Sequence, residues 1–166
     1  MKKTRSILVM ACAIVISMII TSCGNSQPNE KTDINQEFKN QLIASYLKIK
    51  NALVATDAEA ASTAAKELTA IVGESQDVLA KEIHLQAKHI AESKNAGSQR
   101  VHFNTLSEII YSLVKTTGTN GEKLYKQHCP MAFENEGAYW LSAEKEINNP
   151  YFGDKMLHCG SVKEEL

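Results

Sequence analysis

The pattern of apolar and polar positions repeats with a helical period in four consecutive stretches between residues 36 and 117. In an amphipathic helix, apolar residues recur three or four positions apart, so that they share one face. The predicted apolar faces of the four helices are, in chain order, Phe38, Leu42, Tyr46, Ile49 and Leu53; Ala61, Ala64, Ala65, Leu68, Ile71 and Val72; Leu79, Ile83, Ala87 and Ile90; and Phe103, Leu106, Ile110 and Leu113.

Capping and turn residues separate these stretches. Residues 56–59 (TDAE) have the pattern of a capping box that starts the second helix, and Gly73 is expected to end it. The third and fourth helices are expected to start near Ser75 and Ser98. Because short connections make consecutive helices antiparallel neighbours, the sequence predicts an up-and-down four-helix bundle in a mainly α (α+β) fold.

The helical period disappears in the last third of the chain, where Gly, Pro and aromatic residues become frequent. Residues 124–131 and 138–142 are predicted strands, joined by the turn-like sequence ENEG. Residues 149–154 (NPYFGD) indicate a compact turn, and residues 161–166 can form a further short strand. We therefore expect a small, irregular C-terminal β cap on the bundle, with Trp140 in its core.

The first 22 residues have the pattern of an export signal. A basic start is followed by an apolar run, residues 7–20, that is too short to span a bilayer comfortably. The run ends in ITSC, which resembles a bacterial lipobox, the motif in which the Cys is acylated and becomes the first mature residue. We predict a lipoprotein signal peptide over residues 1–22 and lipidation of Cys23. The alternative is an ordinary secretory signal that contains a Cys.

Residues 23–35 are polar, contain Pro28 and lack apolar periodicity, so they are predicted to be a lipidated N-terminus and a flexible tether. Residues 36–166 then form one domain. Removal of the three leader cations leaves 15 of the 18 basic residues against 19 acidic ones. This acidic balance gives no electrostatic basis for binding nucleic acid, and membrane association would depend on the lipid. The predicted location is the bacterial cell envelope, with Gly24 after the Cys favouring the outer membrane.

The sulfur-containing side chains are concentrated in two clusters, HCPM at residues 128–131 and MLHC at residues 156–159. Of the four Cys and five Met in the chain, the leader contains one Cys and three Met, and lipid would occupy Cys23. The sulfur side chains that remain are Cys129, Met131, Met156 and Cys159. A domain that uses Met to fill its core would scatter it among the helices. Since soft ligands select soft ions, the sequence predicts a Cu(I) or Ag(I) site.

Local geometry supports this prediction. Residues two apart in an extended segment point to the same side, so Cys129 and Met131 would share a face. Residues three apart on a helical turn also share a face, so Met156 and Cys159 would converge. The site would then consist of two thiolates and two thioethers.

Other interpretations of the clusters remain open. His128 and His158 are less favoured ligands because they would be turned aside. Zn(II) would prefer these imidazoles and would gain little from thioethers. In an exported protein Cys129 and Cys159 could instead form a disulfide, whose loop of about 30 residues would contribute about 3–4 kcal/mol. We found no motif that indicates catalysis, so the protein is not predicted to be an enzyme.

The strings HCPMAFENEGAYWLS and EINNPYFGDKMLHCGSVKE closely resemble the bacterial domain-of-unknown-function 3347 family. The helical segment 99–107 also fits, so the resemblance covers roughly residues 38–164. Domains of this family occur as small exported proteins and appended to periplasmic adaptors of heavy-metal efflux pumps. The resemblance therefore implies copper or silver handling, with an efflux adaptor or a copper chaperone as partner. The alternative is a disulfide-stapled periplasmic interaction module without metal.

Overall fold

The computed structural model describes residues 30–119 and 121–166 of the chain. The helices are α1 (Glu30–Val54), α2 (Ala58–Val72), α3 (Val78–Glu92) and α4 (Ala96–Thr117), and the strands are β1 (Tyr125–Cys129), β2 (Ala138–Ser142) and β3 (Ser161–Glu165). A short helical turn (Ala132–Asn135) follows β1, and a 3₁₀ turn (Gly153–Met156) precedes β3. The mainly α fold with a four-helix bundle and a small C-terminal sheet is confirmed.

The N-terminal predictions fall mostly outside this range. The predicted signal peptide, the lipidated Cys23 and residues 24–29 of the tether lie outside the described residues. Helix α1 begins at Glu30 and so includes the last six residues of the segment predicted as a tether. In the part of the chain that the structure describes, every helix is too short or too polar to cross a membrane.

Each helix packs against the next one along the chain, and α1 also contacts α4. Tyr46 of α1 stacks on Phe103 of α4 with ring centroids 5.2 Å apart. The Tyr46 hydroxyl is hydrogen-bonded to the Ser107 hydroxyl at 2.8 Å and accepts the Leu141 backbone N–H at 3.0 Å. Burial raises the pKa of this phenol, and the two hydrogen bonds partly offset the rise. One side chain thus ties α1, α4 and β2 together.

The start of α2 differs from the predicted capping box by one residue. Asp57 is the N-cap, because its carboxylate accepts the backbone N–H groups of Glu59 and Ala60 at 3.1 and 2.9 Å. Thr56 has φ of 56° and so lies outside the extended conformation that an N-cap residue needs. Gly73 ends the helix with φ of 61°, as predicted.

Lys50 lies on the buried face of α1 and is 2% exposed. Burial lowers the pKa of its ammonium group, and the charge of Glu144 offsets part of that shift. Below the lowered pKa the folded protein carries a buried charge, and this cost disappears as the pH rises towards the ordinary value of 10.5. At neutral pH, Lys50 is therefore expected to destabilise the fold.

We expect Lys50→Met to raise the free energy of unfolding by about 1 kcal/mol at pH 7, because Met keeps the buried stem without the charge. Urea denaturation at pH 7 and at pH 10 measures this, and the gain should shrink at the higher pH. Lys48→Met is the matched control, since the Lys48 side chain is 60% exposed. A loss of stability in Lys50→Met would show that the charge is fully compensated.

The sheet has the strand order β2-β1-β3 and is antiparallel throughout. His128 in the central strand lies opposite Tyr139 on one side and Ser161 on the other. The prediction for β2 is confirmed, whereas β1 ends at Cys129 and not at Met131. Pro130 lacks an N–H to continue the ladder, and the chain turns away immediately after it. The central strand therefore presents Cys129 at its end.

Candidate metal centre

The two cysteines of the sulfur clusters meet at one end of the sheet. Cys129 is the last residue of β1 and is 0% exposed, and Cys159 is partly exposed two residues before β3. Their Sγ atoms are 3.1 Å apart, and both residues are free thiols. Because a disulfide bond is about 2.05 Å long, this distance is a non-bonded contact. The structure therefore brings together the two predicted thiol ligands.

Asn149, in the loop between β2 and β3, holds Cys159 in this position. This fully buried side chain donates a hydrogen bond to the Cys159 carbonyl at 2.8 Å. Its Oδ1 accepts the backbone N–H of Tyr151 at 2.8 Å and that of Phe152 at 3.3 Å. The Asn149 backbone N–H donates to the Leu157 carbonyl at 2.8 Å. Asn149 thus ties the middle of this loop to the residues that directly precede β3.

Arg100 of α4 fastens the same loop to the bundle. Its Nε donates to the Pro150 carbonyl at 2.7 Å. Its Nη2 donates to the Leu53 carbonyl at 3.0 Å and to the Thr56 hydroxyl at 2.9 Å. Burial lowers the pKa of this guanidinium, and the charge of Asp154 partly offsets the effect. The loop that carries Cys159 is therefore anchored at the corner between α1 and α2.

Gly160 allows the chain to pass close to β1 directly after Cys159. Its φ is 147°, and a Cβ at this position would lie 2.8 Å from the His128 carbonyl oxygen. It would also lie 3.1 Å from Cη2 of Trp140. A larger residue would push the segment off the sheet and move Cys159 away from Cys129.

The two predicted thioether ligands occupy different settings. Met131 is 46% exposed and has helical backbone angles, φ −94° and ψ −9°. The predicted alternation that would place it on the face of Cys129 was wrong, because the strand ends before it. Met156 ends the 3₁₀ turn and is partly exposed, and its carbonyl accepts the Cys159 backbone N–H at 3.0 Å. Met156 and Cys159 thus share one turn, and the convergence of their side chains stays a prediction.

The neighbouring histidines have other contacts. The His128 ring packs on Tyr139 with ring centroids 4.3 Å apart. Burial lowers the pKa of the His128 imidazole, and the charges of nearby lysines lower it further. His158 is exposed, and its Nδ1 lies 2.9 Å from the Ile147 carbonyl oxygen. Among residues 30–119 and 121–166, no group of three or more His, Cys, Asp or Glu side chains is placed to hold a metal ion.

The contact between the thiols changes how they ionise. The hydrogen bond with Cys129 raises the pKa of the Cys159 thiol, and burial and the charge of Cys129 add to the effect. The Cys159 thiol therefore gives up its proton readily only when a cation or a sulfur–sulfur bond takes its place.

From the sequence, the turn that begins at Asn149 could be recognised, but not the hydrogen bonds by which the Asn149 and Arg100 side chains hold this loop. The only signal was the NPYFGD turn, in which an Asn before a Pro is typical of a turn that the Asn side chain bonds. The carbonyl that Asn149 binds belongs to a residue ten positions further on, which no local pattern indicates.

We expect Asn149→Ala to lower the free energy of unfolding by about 2 kcal/mol, because the Cys159 carbonyl and the Tyr151 N–H would lose their partner in a buried setting. Urea denaturation measures the loss. Asn148→Ala is the matched control, since the Asn148 side chain donates a long 3.4 Å hydrogen bond to the exposed Glu144 carboxylate, and its effect should be below about 0.5 kcal/mol. Equal losses in both variants would contradict the anchoring role.

Comparison with known proteins gives one match. The model of a family described as "Protein of unknown function (DUF3347)" matches residues 42–122. The matched region starts within α1, includes α2, α3 and α4, and stops before β1. No curated protein matches the chain significantly. No solved structure matches it significantly either. The match confirms the resemblance to this family over residues 42–122, and the similar strings between residues 128 and 164 lie beyond the matched region.

Proposed function

We propose that this protein is a lipid-anchored protein of the bacterial envelope that binds Cu(I), or Ag(I), through Cys129 and Cys159. It would sequester the ion or hand it to an efflux system, without catalysis. The observation that carries the proposal is the 3.1 Å contact between the sulfur atoms of buried Cys129 and partly exposed Cys159. Two soft ligands from segments 30 residues apart in the sequence lie in contact.

The donor set fits a soft monovalent ion. Thiolates favour Cu(I) strongly, and two of them with one Cu(I) carry a net charge of about −1. Met156 lies in the same turn as Cys159, and its thioether is the proposed third ligand. Met131 lies two residues after Cys129 and is 46% exposed, which suits a ligand that receives or releases the ion at the surface.

The location and the partner rest on the sequence. The lipobox-like ITSC indicates an anchor at Cys23, in the part of the chain outside the described residues. The resemblance to domains that are appended to heavy-metal efflux adaptors favours such an adaptor, or a copper chaperone, as the partner. The acidic balance of the predicted mature chain argues against nucleic acid as a ligand.

An anaerobic Cu(I) competition titration of the reduced protein tests the proposal. The wild type should bind one Cu(I), and Met131→Leu with Met156→Leu should weaken binding about tenfold or more, since thioether ligands are lost at nearly constant volume. Unchanged affinity in this variant would remove the thioethers from the site. Failure of the wild type to bind Cu(I) would refute the proposal.

A second candidate is the disulfide-stapled interaction module, and the same sulfur contact favours it because the atoms need little displacement to bond. Counting free thiols in protein taken directly from the envelope separates the two candidates. Two thiols that Cu(I) protects from alkylation support the metal site. A fully oxidised pair in protein that contains no metal supports the staple.

A further inference from the structure

The two thiols of the candidate site differ in their access to solvent. Cys129 is 0% exposed at the inner end of β1, whereas Cys159 is partly exposed on the loop that precedes β3. Thiol–disulfide exchange requires the attacking sulfur to reach a partner's disulfide, so access decides which thiol can begin the reaction. Of this pair, only Cys159 is partly exposed to solvent.

The second thiol is in place to complete such an exchange. Cys129 Sγ is 3.1 Å from Cys159 Sγ and is held by the hydrogen-bonded strand β1. Cys159 is held by the Asn149 side chain at its carbonyl and by the Met156 carbonyl at its N–H. The arrangement combines one accessible thiol with one buried thiol in contact with it.

We propose that Cys159 is the site of thiol–disulfide exchange with the redox-active cysteine pair of another envelope protein, and that Cys129 resolves the mixed disulfide. The exchange would regulate the proposed metal site, and in that respect the inference rests on the proposed function. The exchange itself needs no metal, so it is tested separately.

The reaction balances as follows. Cys159 Sγ loses its proton as it attacks one sulfur of the partner's disulfide. That bond breaks, and the other partner sulfur leaves as a thiolate. The Cys129 thiolate then attacks Cys159 Sγ, which forms the internal disulfide and releases the second partner thiolate. The partner gains two electrons and the two protons of the Cys129 and Cys159 thiols, and this chain is oxidised by the same two electrons.

Closing and opening the pair would control metal binding. The internal disulfide has no thiolate to offer Cu(I), so only the reduced pair binds the ion. A reduced partner reopens the pair by attack on Cys159, because the sulfur of Cys129 is shielded. The partner's reduction state thereby determines whether this protein holds or releases its ion.

The test uses the metal-free full chain in detergent, with Cys12→Ser and Cys23→Ser so that Cys129 and Cys159 are the only thiols. Oxidised glutathione is the disulfide probe, and mass spectrometry follows the products. Adding Cys129→Ser should give a stable mixed disulfide with one glutathione. The protein with Cys159→Ser in place of Cys129→Ser should react with glutathione disulfide at about one tenth of the rate of the Cys129→Ser protein, or more slowly still. The protein with both thiols should end as an internal disulfide that retains no glutathione.

Equal rates for the two single-thiol proteins, or glutathione retained by the two-thiol protein, would overturn the inference. Circular dichroism checks that each variant keeps its helices. Cys129→Ala serves as a second variant because a buried Cys behaves as a small apolar residue, and it should form the same mixed disulfide. A Cu(I) titration of the oxidised and reduced two-thiol protein completes the test. Equal affinities in the two states would overturn the regulatory role and leave the exchange result standing.

Discussion

Cys129→Ser is expected to lower the Cu(I) affinity of the reduced protein by about a thousandfold, or about 4 kcal/mol of binding free energy. A hydroxyl is a hard, neutral ligand that cannot replace a soft thiolate. The variant also leaves Cys159 without the sulfur that lies 3.1 Å away in the wild type. Cys159→Ser should cause a loss of similar size, because each thiol is half of the same pair.

Competition with a Cu(I)-specific chelator under anaerobic conditions measures these affinities. His158→Ala is the control, since the exposed imidazole lies against the Ile147 carbonyl oxygen and is a less favoured ligand. Its affinity should stay within about threefold of the wild type, well below the tenfold or greater loss expected for a ligand. A loss as large as that of Cys129→Ser would instead place an imidazole in the site.

The helices could be predicted from the sequence because their determinants are local. The period of apolar residues identified all four, and residues such as Leu68, Ile90 and Leu106 are fully buried as expected. Helix ends were less exact, as Thr56 and Asp57 show. Both are good N-cap residues, and the choice between them depends on a backbone angle that the preceding turn imposes. Phe38 and Leu79, predicted on apolar faces, are 38% and 37% exposed.

The site could be predicted only in part. Its chemistry followed from the positions of four sulfur-containing residues, but the meeting of Cys129 with Cys159 depends on long-range contacts. The Asn149 and Arg100 side chains set the path of the loop, and Arg100 binds it from a helix 50 residues earlier in the sequence. The position of Met131 was mispredicted for a local reason. The prediction relied on a strand through residue 131, and Pro130 ends that strand two residues early.

The residue that unites the sheet with this loop is Trp140, which is 1% exposed. Its ring meets Tyr151 edge-on, with centroids 5.9 Å apart and planes at 76°. Cη2 of the same ring lies against Gly160, directly after Cys159. Trp140 therefore supports the segment that positions Cys159, in addition to filling the core of the cap as the sequence predicted.

Trp140→Ala is expected to lower the free energy of unfolding by about 3–5 kcal/mol, because it leaves a large cavity between β2 and the loop. Trp140→Phe should cost much less, about 1–2 kcal/mol, since the buried Trp140 Nε1 has no hydrogen-bond partner among the described residues and Phe leaves no polar group unpaired. Urea denaturation of the two variants measures both losses. Tyr139→Ala is the neighbouring control, as Tyr139 is 38% exposed and should cost less than Trp140→Ala. Equal losses in Trp140→Ala and Trp140→Phe would mean that the indole N–H, and not the ring volume, stabilises the cap.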